Sequence, residues 1–403
     1  MKRLPNYFYL LLPLVALALS ASFVWWQRTQ IETPLNAESS TQKTIASLEE
    51  RHQNDPSSVP IGIGLADAYL QEIRETADTA LYSKIETILD QLEATTEDPF
   101  AKSQIYAKRA EVANGRHHFR NGLEAITEAI ALDPNIAAYY GIKSDSEVEL
   151  GLYDESLASV QEMVDRKPNF GAYTRVAYQR ELRGDINGAI EAMESAISAG
   201  STYPENMAWA YNEKGKLELR NDLSTAERDF NQSLVLFPEF GPALVGLGKV
   251  EEQRNNNEEA GVYYTRAFAA APIAYHATVL GKYYETMGDQ TRAAQYVALA
   301  DAAYKRTTDT DVSLEYAQFL SDHGDPALAL ELAEKAYLER PSIFAADGYA
   351  WAQYKNGNFV EAKKYSEEAL RLGEFDPIIL KHAMMIAEQT GDTAAAARYA
   401  SKI

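Results

Sequence analysis

The chain has no cysteine. That removes disulfides, thiolate metal sites, a cysteine nucleophile and a lipidated N-terminal cysteine together. Positive charge is also scarce, with 38 Lys and Arg against 59 Asp and Glu among 403 residues, a net charge of −21. Nucleic-acid binding needs clustered basic groups to displace counterions from phosphates, so this balance argues against a nucleic-acid partner. No valine- and isoleucine-rich alternating run is long enough to argue for a strand. Nor is there a Gly-x-Ser-x-Gly elbow, a His-Glu-x-x-His helix or a phosphate loop. Gly246-Leu247-Gly248-Lys249 has Val250 where a phosphate loop needs Ser or Thr, and Gly62-Ile63-Gly64 lacks a third glycine. Both read as packing or loop glycines. The six histidines are scattered apart from His117-His118, which falls in a turn without evident further metal ligands. Acid pairs such as Glu49-Glu50, Glu258-Glu259 and Glu367-Glu368 read as solvated helix faces. The expectation is therefore no enzyme, no metal and no cofactor.

Long apolar runs are also rare, and the one that stands out lies near the N-terminus. Residues 1–6 are basic, and residues 7–26 are apolar except for Pro13, Ser20 and Ser22. Twenty residues at about 1.5 Å each span about 30 Å, the thickness of a bilayer's hydrocarbon core. Tyr7, Tyr9, Trp25 and Trp26 occupy the ends, where interfacial aromatics belong. This segment reads as a transmembrane anchor. Its rival is a cleaved secretory signal, because Ala16-Leu17-Ala18 and Ala18-Leu19-Ser20 offer small residues at cleavage-like spacing. In either case the leading basic residues favour a cytoplasmic N-terminus and a body outside the cytoplasmic membrane. Residues 27–40 are polar, contain Pro34 and read as a linker.

Beyond the linker the chain repeats itself. Glycines at 151, 184, 288, 324, 357 and 391 fall near multiples of 34 residues. Five residues after each stands Ser156, Ala189, Ala293, Ala329, Ala362 or Ala396. Seven further on stand Ala196, Ala300, Ala336 and Ala369, with Met163 as the exception. Within a period the apolar spacing is helical, as in Leu280, Tyr283, Tyr284 and Met287, then Ala293, Tyr296, Val297 and Ala300. Gly288-Asp289 and Asp325-Pro326 read as helix breaks with a cap for the next helix. The unit is helix, tight turn, helix, its small residues marking where the two helices approach. One pair cannot bury both of its apolar faces, but a stack of pairs can.

These residues carry a resemblance. Leu280-Gly281-Lys282-Tyr283-Tyr284 with Gly288, Ala293 and Ala300 resembles the tetratricopeptide repeat, as do Leu247-Gly248, Ala260, Tyr264, Ala267 and Pro272. Residues 343–377 match again through Ala350, Gly357, Phe359, Ala362, Ala369 and Leu370. The resemblance implies an all-α chain, a right-handed superhelical solenoid of antiparallel helix pairs over 41–403, of the bacterial type with an N-terminal membrane anchor. Residues 59–99 form a degenerate first repeat, 100–377 clear repeats and 378–403 a truncated last pair, with 41–54 a lone capping helix.

In that family the first helix of each unit lines a concave groove where protein partners lie. Carried over unit by unit, the groove positions give Tyr178, Trp209, Tyr275, Phe344, Trp351 and Tyr354 as aromatic candidates, with Lys249 and Lys282 as basic ones. Each aromatic could equally fill the core. The family's set of basic and amide residues for a partner's terminal carboxylate falls here on Ala107, Glu111, Ile142, Gly171 and Arg175, of which only the last is basic. That binding mode is disfavoured. The expected function is a membrane-anchored scaffold or adaptor, single-pass in a bacterial cytoplasmic membrane and facing the periplasm or exterior, that supports assembly or stability of an envelope complex. Its partners would be proteins, with the membrane reached through 7–26. The alternatives are a cleaved soluble periplasmic adaptor, and an enzyme or ligand-binding protein with a site in the irregular units 59–99 or 205–240.

Overall fold

The computed structural model describes residues 39–307 and 314–403; the segment 7–26 lies outside them. Among the described residues no helix is long and apolar enough to cross a membrane. All the regular structure there is helical, in twenty-one helices. α1 (Ser40–Asn54) packs on the first pair, α2 (Val59–Thr76) with α3 (Leu81–Glu93). Then follow α4 (Pro99–Gly115) with α5 (Phe119–Leu132), α6 (Ala137–Glu149) with α7 (Tyr153–Arg166), and α8 (Phe170–Glu181) with α9 (Ile186–Ala199). The middle pairs are α10 (Pro204–Glu218) with α11 (Leu223–Leu236), α12 (Gly241–Gln253) with α13 (Asn257–Ala270), and α14 (Ala274–Thr286) with α15 (Gln290–Thr307). The stack ends with α16 (Leu314–His323) and α17 (Pro326–Glu339), α18 (Ile343–Lys355) and α19 (Phe359–Ala369), and α20 (Pro377–Gln389) and α21 (Thr393–Ala400).

Local chemistry sets the breaks. Gly288 takes φ +77°, a left-handed conformation that an L side chain resists, and the Asp289 carboxylate then accepts the Arg292 N–H at 2.9 Å. Asp325 caps α17 through the Ala327 N–H at 2.9 Å, with Pro326 at the helix start. The same left-handed turn is filled by His117 (φ 63°) and Asn255 (φ 63°) in units without glycine there. Ala189, Ala260, Ala329 and Ala362 are fully buried. They let paired helices close on aromatic neighbours such as Tyr264, itself 2% exposed.

The first helices of successive pairs also touch one another, α10 with α12 and α12 with α14 among them, which places them on the inside of the curve. Acid–base contacts join several of these neighbours. Asp67 of α2 accepts from Lys108 of α4, and Arg175 Nε of α8 donates to Asp145 of α6 at 2.8 Å. Lys355 of α18 donates to Asp322 of α16 at 3.3 Å, and His382 of α20 lies 3.0 Å from Asp347 of α18.

The stack curls until distant pairs meet. The Tyr153 hydroxyl accepts the Ile343 N–H at 2.8 Å across 190 positions. Around this bond an apolar cluster joins Val148, Tyr153 and Leu182 to Ile343, Ala346, Ala369 and Ile379, with Tyr178, Phe344 and Phe375 at its edge. Arg340, nearly buried, bridges Glu149 at 3.4 Å and Glu315 at 3.5 Å. Arg220 donates to the Phe375 carbonyl at 2.7 Å, and Arg120 to the Leu338 carbonyl at 3.1 Å. The two irregular units meet as well: Gln71 Nε2 donates to Glu205 at 3.4 Å, and Arg74 lies 3.8 Å from the same carboxylate. The 18-residue α2, longer than the other first helices, carries both of these groups.

Candidate functional site

α12 shows how an inner helix is used. Residues 243–248 and 250–251 are buried, and only Pro242, Lys249, Glu252 and Gln253 are exposed. These share one stripe of a 3.6-residue helix, so α12 offers the groove a single face. α14 repeats the pattern with Tyr275, Lys282, Glu285 and Thr286 exposed, and α10 with Trp209 and Lys216. The middle of the groove thus has rows running across the three helices: Trp209, Pro242 and Tyr275, then Lys216, Lys249 and Lys282.

The lysine row has a local cause. Gly215-Lys216, Gly248-Lys249 and Gly281-Lys282 recur at intervals of 33 residues. A Cβ on Gly215 would stand 2.8 Å from the Phe230 ring, and one on Gly248 would stand 2.2 Å from Tyr264. Gly215 and Gly248 each admit a ring of the paired helix, Gly281 lies against Val297, and the lysine after each glycine turns to the groove. Lys216 meets Glu213 at 2.6 Å, whereas Lys249 and Lys282 make no ion pair among the described residues. Burial, and next the Glu252 carboxylate, drive the Tyr264 pKa up.

Four of the eight expected groove residues, Trp209, Lys249, Tyr275 and Lys282, therefore occupy the exposed stripe. The other four are spent on packing. Tyr178 and Phe344 lie against the cluster where distant pairs meet, and burial raises the Tyr178 pKa well above 10.0. Trp351 is 6% exposed, because its Nε1 donates to Asp322 at 2.9 Å and its ring stacks on His382 at 4.1 Å and on Tyr354 at 4.9 Å. Lys216, the first rung of the lysine row, is not among the groove residues expected from the sequence. Its signal was the Gly-Lys dipeptide, displaced by the shorter turn of its unit.

Nearer the meeting pairs the inner wall is acidic. Burial raises the pKa of Glu181 above 4.5, aided by Glu213 and Asp376 and opposed by Lys216 and Arg220. Glu149 is raised by burial against the pull of Arg340. The irregular unit 205–240 holds a buried polar group, with Lys214 set between Glu194 at 3.3 Å and Asp229 at 3.2 Å. Asn212 Oδ1 and Ser233 Oγ have no hydrogen-bond partner there. Two clefts lie elsewhere. One, of about 950 Å³, is walled by Val262, Tyr283, Tyr284 and Arg292, and the other, of about 1030 Å³, by Tyr106, Arg109, Arg120 and Leu152. Among the described residues no group of three His, Asp or Glu is placed to hold a metal ion.

Stacked antiparallel pairs whose first helices line the inside are the fold of tetratricopeptide-type helical-repeat proteins. No family model matches the chain. A curated relative, the DnaJ homolog subfamily C member 7 homolog of Schizosaccharomyces pombe, is 23% identical over 318 residues, 70% of this chain; the chain spans 65% of that protein's length. Among solved structures, human IFIT1 in a dimer with m7Gppp-AAAA is 13% identical, with a TM-score of 0.52 over 81% of this chain and 76% of that one. PilW, a type IV pilus biogenesis factor, is 20% identical, with a TM-score of 0.42 over 50% of this chain and 94% of its own.

Proposed function

We propose that this protein is a scaffold that holds a protein partner along the inner face of its helix stack, tethered to a membrane through residues 7–26 and without catalysis of its own. The observation that carries the reading is the single exposed stripe on α10, α12 and α14. Three neighbouring helices leave exposed aromatic and cationic side chains, Trp209, Lys216, Lys249, Tyr275 and Lys282, on the inside of the curve. Aromatic residues there offer large contact area at low entropic cost, as protein-binding anchors do. A tether would confine the groove to one surface and raise the local concentration of partners in that membrane. Support for assembly of an envelope complex is the role that such confinement suits.

A photocrosslinking amino acid placed at Tyr275 in the groove, or at Val235 on the exposed side of α11, tests this in cells. Defined protein adducts are expected from position 275 and not from 235. Equal or absent adducts at both would count against the groove. Retention in the membrane pellet after carbonate washing, lost when residues 1–30 are removed, is the outcome expected of the tether.

A further inference from the structure

We propose that the row Lys216, Lys249 and Lys282, with Trp209 and Tyr275 beside it, binds an extended acidic segment of a protein partner whose carboxylates recur at about every third residue. This rests on the scaffold reading and names the chemistry of what the groove takes. Two of the three lysines lack a carboxylate partner among the described residues, in a chain where acids outnumber bases 59 to 38. Among the described residues neither Lys249 nor Lys282 takes the glutamate one turn on, Glu252 or Glu285.

Spacing supplies the ligand's period. Packed helices lie about 8–10 Å apart, and a chain in the extended polyproline II form advances about 3.1 Å per residue with three residues per turn, so carboxylates three residues apart share one face and meet successive rungs. The aromatic row is seven residues away along each helix, about 10 Å, and would receive apolar side chains from the same segment. The overall charge of −21 opposes an acidic ligand. Screening decides the balance, because at physiological ionic strength charges farther than about 8 Å are largely hidden, whereas the lysines are in contact. A nucleic-acid strand fits less well. Its phosphates are denser than the rungs, and Glu213, Glu252 and Glu285 would meet the surplus.

The test uses the full chain and fluorescent, C-terminally amidated ten-residue peptides with Glu at positions 2, 5 and 8 among Gly and Leu. A twin with Gln in place of Glu and a ten-nucleotide oligoadenylate serve as comparisons. Anisotropy at physiological ionic strength is expected to show the Glu peptide binding about tenfold more tightly than its twin, since each exposed ion pair is worth a few-fold. Lys249→Met with Lys282→Met should erase the preference, and Lys249→Arg with Lys282→Arg should keep it, the fold being checked by thermal melting. Equal affinity for both peptides, no binding at millimolar concentration, a preference that survives the Met pair, or tighter binding of oligoadenylate would each overturn the assignment. Adducts at position 275 alongside any of those results would leave the scaffold standing and remove only the ligand class.

Discussion

At the scale of single residues, one position in the repeat has opposite fates. Tyr178, Lys249, Lys282 and Trp351 each stand six residues before the left-handed turn residue of their unit, Gly184, Asn255, Gly288 and Gly357. The lysines are exposed, Tyr178 is half-buried and Trp351 is buried. Trp351→Ala should therefore cost about 3–5 kcal/mol in urea unfolding, from the lost ring and its bond to Asp322. Tyr275→Ala should stay within about 0.5 kcal/mol, since its ring is 46% exposed. Equal losses would contradict the burial assigned here. The glycines before the lysines give a graded series. Gly248→Ala and Gly215→Ala drive a methyl into a ring and should cost about 1–3 kcal/mol. Gly281→Ala meets only a Val297 methyl at 3.1 Å and should cost less. Thermal melts of the three variants would settle the order.

At the scale of elements, the helix pairs were legible because small residues and turn glycines repeat with the period of the pair. What joins one inner helix to the next was less legible, since Asp145 and Arg175 are 30 positions apart and each alone reads as an exposed charge. Arg175 donates to Asp145 and to the Gly141 carbonyl at 3.1 Å, and its Nη1 donates to the Gly171 carbonyl at 3.0 Å. A lysine has no planar fork to make these bonds together. Arg175→Lys should lower stability by about 1–2 kcal/mol in denaturant titration, as charge-assisted bonds are lost. A neutral result would mean that this contact contributes little to stacking.

At the scale of the whole molecule, distant pairs meet, and the acids caught near that meeting respond to pH. Burial raises the Glu181 pKa in the folded chain above 4.5, so its charged form destabilises the fold at neutral pH and its protonation on acidification relieves that cost. Glu181→Gln should accordingly raise the melting temperature at pH 8 and lose its advantage near pH 3, below the ordinary Glu pKa of about 4.3, where the wild-type carboxyl is neutral in both states. An advantage independent of pH would point to packing instead. The meeting itself can be trapped in this cysteine-free chain. A Cβ on Gly184 would stand 3.2 Å from the Phe375 Cβ, close to the range a disulfide spans. Gly184→Cys with Phe375→Cys, at about 1–2 kcal/mol of strain because position 184 holds φ +77°, should form a crosslink under mild oxidation, seen as faster migration on a non-reducing gel. Folded protein that fails to crosslink would show the pairs apart in solution.

The sequence by itself determined the helix pair, its period and the inner helices, because those follow from neighbours in the chain: small residues at fixed intervals, turn residues and caps. It also marked units 59–99 and 205–240 as irregular without saying why. Only the tertiary structure decided which inner-facing aromatics remain open, and that the two irregular units touch through Gln71, Arg74 and Glu205. The physical reason is curvature. Each pair adds a small rotation set by packing along its whole interface, and the accumulated bend brings residue 153 against residue 343, a contact no single repeat specifies.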